Sequence, residues 1–186
     1  MKKIVLLTVV VALFASISAI GQSKLVSSKS QIKFFSTTPA EDIEANNTSS
    51  VSTINPATGE IVFSVPMQGF EFEKSLMQKH FNNKKFLNTK KFPKAKLTGK
   101  ITNPGDVNFS ADGTYDAIVE GELTIKGVTK PVQEKGIITV KDGNVNTRSK
   151  FNINLADYGI EFVKGKPSSN IAKTVEVTLQ AEYAAQ

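Results

Sequence analysis

Tyr115-Asp116-Ala117-Ile118-Val119-Glu120-Gly121-Glu122-Leu123-Thr124-Ile125-Lys126 decides the fold class. Tyr115, Ala117, Val119, Gly121, Leu123 and Ile125 fall on one side of an extended chain. Asp116, Glu120, Glu122, Thr124 and Lys126 fall on the other, with Ile118 the exception. A period of two over this length is a β-strand with one dry and one wet face, the pattern of antiparallel sheets. Thr174 to Tyr183 repeats it without a break: Val175, Val177, Leu179, Ala181 and Tyr183 alternate with polar residues. Ala95 to Thr102 and Thr147 to Leu155 follow, the latter with Phe151, Ile153 and Leu155 on its apolar face.

Working outward, turn signals separate these runs. Pro56-Ala57-Thr58-Gly59, Asn103-Pro104-Gly105-Asp106, Asp112-Gly113, Lys126-Gly127 and Asp142-Gly143 each sit between alternating segments. Eight strands are expected, at 31–37, 51–55, 60–67, 95–102, 114–126, 130–141, 145–155 and 173–183. Residues 40–50, polar in the main, are expected as a surface loop. Long antiparallel strands with one apolar face close into a barrel or stack as a sandwich. One segment breaks the period: in Glu73 to Asn82, Leu76, Met77, His80 and Phe81 recur at helical spacing. The expectation is a mainly β fold with a short helical insertion between the strands at 60–67 and 95–102. That helix should lie at the barrel's end with its stripe turned inward, as lid and loading face. A further short turn is expected at 84–88, presenting Phe86 and Leu87.

Met1 to Gln22 stands apart. Lys2 and Lys3 precede an apolar run from Ile4 to Phe14, and Ala19-Ile20-Gly21 offers small residues for cleavage before Gln22. This is the pattern of a secretory signal peptide, 1–21, leaving a domain at 22–186 in the periplasm or outside the cell. The apolar stretch is short for a bilayer span.

Composition excludes several function classes. The 186 residues contain no Cys, no Trp and one His, with 23 basic and 17 acidic side chains. Disulfide scaffolds, thiolate metal sites and Cys nucleophiles are ruled out, as is a zinc site built on several histidines. His80 has no recognisable Ser or Asp partner motif, so it reads as a packing or hydrogen-bonding residue at a pocket rim. Acidic pairs such as Glu71 and Glu73, or Glu120 and Glu122, fall at strand-surface spacing and read as solvated; acidic side chains are expected almost wholly on wet faces. No phosphate-binding glycine loop is present. No catalytic residue, metal or cofactor is expected.

Two biases remain. Nine lysines and no acidic residue lie between Lys74 and Lys100. They read either as a solvated face or, for Lys74, Lys79, Lys84 and Lys85 around the helix, as an attraction for anionic lipid surfaces. A single arginine, Arg148, and an export signal argue against nucleic acid. Twelve of the aromatic residues are Phe against three Tyr, and many of them cluster around the helical insertion. An eight-stranded barrel has an interior able to hold one small ligand, and a lining of Phe and Met suits an apolar chain.

Gly121-Glu122-Leu123-Thr124-Ile125-Lys126-Gly127-Val128-Thr129-Lys130-Pro131-Val132 closely resembles the hairpin of the YceI-like, polyisoprenoid-binding family. Ser30-Gln31-Ile32-Lys33-Phe34 resembles that family's first strand. Leu76 to Phe81, Phe92 to Leu97 and Asp157-Tyr158-Gly159-Ile160 resemble further segments, so the likeness spans about 25–183. The resemblance implies an extended, lipocalin-like antiparallel barrel around an apolar tunnel, and a non-enzymatic carrier of an isoprenoid or similar lipid. It also marks a divergence: Lys74 to Phe81 replaces an acidic approach to the helix, so headgroup contacts are open. With strand parity, it assigns as ligand-binding Phe34, Phe63, Val65, Phe70, Phe72, Leu76, Met77, His80, Phe81, Phe86, Leu97, Ile101, Leu123, Ile125, Phe151, Ile153 and Tyr158. The rivals are a small exported lipid-directed enzyme and a ligand-free exported interaction or stress-response barrel filled by its own side chains.

Overall fold

The computed structural model describes residues 24–38, 41–160 and 172–184. Among them are ten strands: β1 (Leu25–Thr37), β2 (Asp42–Asn47), β3 (Val51–Ile54), β4 (Glu60–Pro66), β5 (Phe70–Phe72), β6 (Lys94–Ile101), β7 (Gly113–Ile125), β8 (Val128–Lys141), β9 (Asn144–Asn154) and β10 (Thr174–Tyr183). One α-helix, α1 (Ser75–Asn82), follows β5. The expected signal segment, 1–21, lies outside the described residues.

Every pairing is antiparallel. The order β10-β9-β8-β7-β6-β4-β3-β1, with β1 returning to β10, closes an eight-stranded barrel. Those eight are the strands that period-two alternation marks out. The hairpins β7–β8 and β8–β9 turn through Lys126-Gly127 and Asp142-Gly143, where both residues of each pair have positive φ (52° and 79°, 51° and 74°). Two-residue turns of that hand match the twist of the strands they join. Between β6 and β7, Gly99 stands opposite Gly121. A Cβ on Gly121 would lie 2.3 Å from the Thr98 carbonyl oxygen and 2.5 Å from Gly99 Cα. Only glycine permits that approach of two strands.

Two strands were not expected. Residues 40–50 are not simply a surface loop: 42–47 form β2, which pairs with the second half of β1 and carries β5 on its other edge. Outward Asp42, Glu44 and Asn46 alternate with Ile43, Ala45 and Asn47, and Ala45 and Asn47 are buried. An asparagine at a core position hides the alternation, and tertiary partners make it tolerable. Asn47 Nδ2 donates to the Pro66 carbonyl at 2.7 Å, and its Oδ1 accepts from the Ser49 amide at 2.9 Å. Phe70-Glu71-Phe72 is too short to reveal a strand by pattern and exists because β2 supplies the partner.

The barrel is plugged at the end away from α1. Ile54, Ile101 and Tyr183 are almost completely buried there, and the Tyr183 and Ser52 hydroxyls are hydrogen-bonded at 2.7 Å. Burial raises the Tyr183 phenol above its usual pKa, so the pair stays neutral. The opposite end is left for a site.

Candidate functional site

The inner rows of the strands enclose a cavity of about 780 Å³. Its floor is aliphatic: Ile61, Ile101, Ala117, Ile138 and Leu179. Phe63 and Val65 of β4, Leu97 of β6, Leu123 and Ile125 of β7, and Phe151 and Ile153 of β9 form its walls. These positions share a face because each strand places alternate side chains inward.

At the open end five phenylalanines meet. Phe34 lies 5.3, 5.5 and 5.7 Å from Phe70, Phe72 and Phe81, centroid to centroid. Phe81 lies 5.5 Å from Phe70, 5.0 Å from Phe72 and 6.4 Å from Phe86. Tilted and edge-on rings predominate, as quadrupoles prefer. α1 has no side chain capping its N-terminus and is too short to be stable alone. It is held by Phe81 from below and by Gln78, which donates to the Phe70 carbonyl at 2.5 Å and accepts from the Phe72 amide at 3.3 Å.

The helical stripe does not turn inward as a whole. Phe81 is buried, Met77 half-buried, His80 exposed, and Leu76 is 61% exposed at the rim. A helix lying across a barrel mouth presents only a narrow arc to the interior, and Phe81 occupies it. Nor are the four rim lysines alike. Lys74 Nζ pairs with Glu41 at 2.9 Å, an acid from the β1–β2 connection, and this pairing raises the Lys74 pKa. Lys79, Lys84 and Lys85 are exposed and make no ion pair among the described residues.

The wall between β8 and β9 differs from the rest. Their ladder ends at Gly136 opposite Ser149. β8 continues along β7 to Val128, and β9 continues along β10 to Asn154, so the two strands fork. Ser149 Oγ donates to the Lys135 carbonyl at 2.6 Å at the fork. Glu134, on the inward parity of β8, lines the cavity. This corrects the expectation that acids keep to wet faces: the alternation of β8 places Glu134 between Val132 and Gly136 on the dry side. Burial pushes its carboxyl above the usual range. It makes no hydrogen bond or ion pair among the described residues. Thr147, also inward, has a buried hydroxyl that faces the Tyr183 phenol without closing a well-formed hydrogen bond.

The YceI-like domain family matches residues 24–183. The chain belongs to that family. Among curated relatives, the YceI-like chain is 37% identical over 99 residues to a UPF0312 protein of Pseudomonas fluorescens Pf-5, covering 50% of this chain and 49% of that one. It is 30% identical over 141 residues to a UPF0312 protein of P. fluorescens SBW25, covering 73% and 68%. The chain thus spans about half the length of the first of these and about two thirds of the second. Among solved structures, it resembles a polyisoprenoid binding domain from Saccharophagus degradans with a TM-score of 0.72 at 14% identity, over 88% of this chain and all of that one. Burkholderia cenocepacia BcnA gives 0.67 at 16%, over 82% and 95%. At these identities the likeness is one of fold.

Of the residues assigned from sequence, Tyr158 alone is absent from the cavity wall of this YceI-like barrel. It is buried in a single 3-10 turn, Leu155–Tyr158, and its phenol is raised by burial and by the charges of Asp157 and Glu134. Sequence reasoning missed Ile32, Ile43 and Met67, along with Glu134, Thr147 and Ser149. Parity along β8 and β9 was the available signal for the last three. Among the described residues no group of three or more His, Asp or Glu could hold a metal ion.

Proposed function

We propose that this protein is a carrier that holds an isoprenoid or similar apolar lipid inside its barrel, without catalysing a reaction on it. The observation that carries this reading is the cavity: about 780 Å³, walled by aliphatic and aromatic side chains, opening beneath α1. That volume is in the range of small-molecule sites. A barrel filled by its own side chains would leave no such space, so the open interior favours a ligand over a purely structural domain. The polyisoprenoid binding domain of S. degradans shares the fold over its full length, which supports the same ligand class. Each buried CH₂ contributes about 0.8 kcal/mol, so a five-carbon isoprene unit contributes roughly 4 kcal/mol before ordering costs. His80, exposed at the rim, has no hydrogen-bonded acid or nucleophile among the described residues, so nothing supports catalysis there.

Export follows from the Met1–Gln22 pattern, and we place the carrier in the periplasm or outside the cell. The three unpaired rim lysines, Lys79, Lys84 and Lys85, are where transient contact with an anionic membrane surface would occur. Mass spectrometry of an organic extract of natively purified protein tests the carrier reading. A stoichiometric apolar lipid is expected; protein that emerges empty and takes up no apolar probe overturns it. N-terminal sequencing of the periplasmic fraction should begin at Gln22, and a cytoplasmic protein retaining Met1 overturns export.

A further inference from the structure

We infer that the β8–β9 wall is a head-group subsite, built from Glu134, Thr147 and Ser149, that selects a lipid ending in a hydrogen-bond donor, an alcohol or a protonated amine. It disfavours one ending in a phosphate or in plain hydrocarbon. The inference rests on the carrier reading and adds the chemistry of the ligand's polar end.

Three polar side chains gather on one seam of an otherwise largely apolar inner wall. Ser149 stands opposite Gly136 and Thr147 opposite Ile138 in the ladder. Glu134 follows Gly136 on the same face of β8, and all three side chains line the cavity. Gly136 lies between them and has no side chain to cover them. Buried polar groups without partners cost free energy and call for an explanation. Of these three, half-buried Glu134 has neither hydrogen bond nor ion pair among the described residues, while Thr147, 8% exposed, has only the Tyr183 hydroxyl facing it, without a well-formed hydrogen bond. Ser149 spends its proton on the Lys135 carbonyl, which leaves its oxygen free to accept. The seam therefore offers mainly acceptors.

Its electrostatics point the same way. Lys135 and Arg148, the nearest cations in sequence, have outward parity and are exposed, bordering the cavity only at the fork between the two strands. Burial is what shifts Glu134, with no cation pulling it back down. Tyr158, whose phenol is raised in part by the charge of Glu134, lies near it and stays neutral. An ammonium or hydroxyl would satisfy the carboxylate, whereas a phosphate would be repelled. The lipid's tail then runs along the apolar row of β7, from Ala117 to Ile125, toward the phenylalanine mouth. Those eight steps of strand are about 26 Å long.

The test measures displacement of a fluorescent apolar dye by geranylgeraniol, geranylgeranylamine, geranylgeranyl phosphate and the hydrocarbon phytane. The wild type should bind the alcohol and the amine about tenfold or more tighter than phytane, with the phosphate weakest. Glu134→Leu should abolish the amine preference and leave phytane within about twofold. Glu134→Gln, which keeps the shape, should lose the amine preference and keep part of that for the alcohol. Thr147→Val should weaken the alcohol severalfold. Phosphate bound as tightly as amine by the wild type, or an amine preference surviving in both Glu134 variants, overturns the inference. Phytane binding with no head preference sinks the subsite alone. Failure of every probe sinks the carrier reading and the subsite with it.

Discussion

Replacing Phe81 with alanine tests whether α1 is held over the mouth chiefly by one ring. Phe81 is 7% exposed and lies within 6.4 Å, centroid to centroid, of four other phenylalanines. Truncating a buried Phe typically costs 3–5 kcal/mol, the removed ring's transfer energy plus the hole it leaves. The lower end applies here, since the site borders an existing cavity and the helix can leave as a unit. About 3 kcal/mol is roughly a hundredfold in an equilibrium constant. α1 has no capping side chain, and of its residues only Phe81 is buried, so once the ring is gone chiefly the two Gln78 hydrogen bonds oppose its release. Hydrogen exchange read by mass spectrometry should therefore show residues 75–82 exchanging about a hundredfold faster in Phe81→Ala. The ladder amides of β7–β10 should be nearly unaffected. Leu76→Ala, at a 61% exposed position, should change exchange by less than about threefold. Protection of α1 within a few-fold of wild type in Phe81→Ala, or equal effects of the two substitutions, would refute the anchoring argument.

Glu134→Gln should stabilise the ligand-free protein near neutral pH. Burial holds the folded carboxyl's pKa above its ordinary 4.5, so the folded state binds the proton more tightly than the unfolded one. Stability is then lost as pH rises from the unfolded value through the raised folded one, and the variant's advantage in urea unfolding should vanish below about pH 4. Gly121→Ala should cost more than about 2 kcal/mol, since its Cβ would meet backbone rather than a flexible side chain. Gly105→Ala, with nothing within 4 Å, should fall within about 0.5 kcal/mol of wild type in the same assay. Changing Lys79, Lys84 and Lys85 to Gln should slow lipid transfer to anionic vesicles and spare neutral ones; equal rates would leave these lysines as a solvated face.

Much of the fold was legible because it rests on a local rule. A strand buried on one face must alternate, and β4, β6, β7, β9 and β10 do so with few exceptions. Their turns carry the glycines and asparagine or aspartate residues that tight connections need. β2 was not legible, because its core position is filled by Asn47, whose hydrogen bonds come from Pro66 and Ser49. β5 was not legible because three residues contain too little pattern, and only β2's edge makes them a strand. At the site, the phenylalanines around the helix were marked by composition and parity, while Tyr158 was placed by resemblance and sits elsewhere.

The amino-acid sequence by itself determined the class of fold, the eight barrel strands, the hairpin turns and an interior rich in Phe, Ile and Val. These are properties of nearest neighbours along the chain: the pleat's period and the φ angles that turn residues accept. Tertiary structure alone decided what meets what. Barrel closure brought β1 to β10 and left the end beneath α1 open. The crossing angle of α1 turned Phe81 inward and left Leu76 in solvent. The fork of β8 from β9 set Glu134 among apolar walls without a partner. No local pattern encodes such distances, because they depend on stagger and packing summed around the whole barrel.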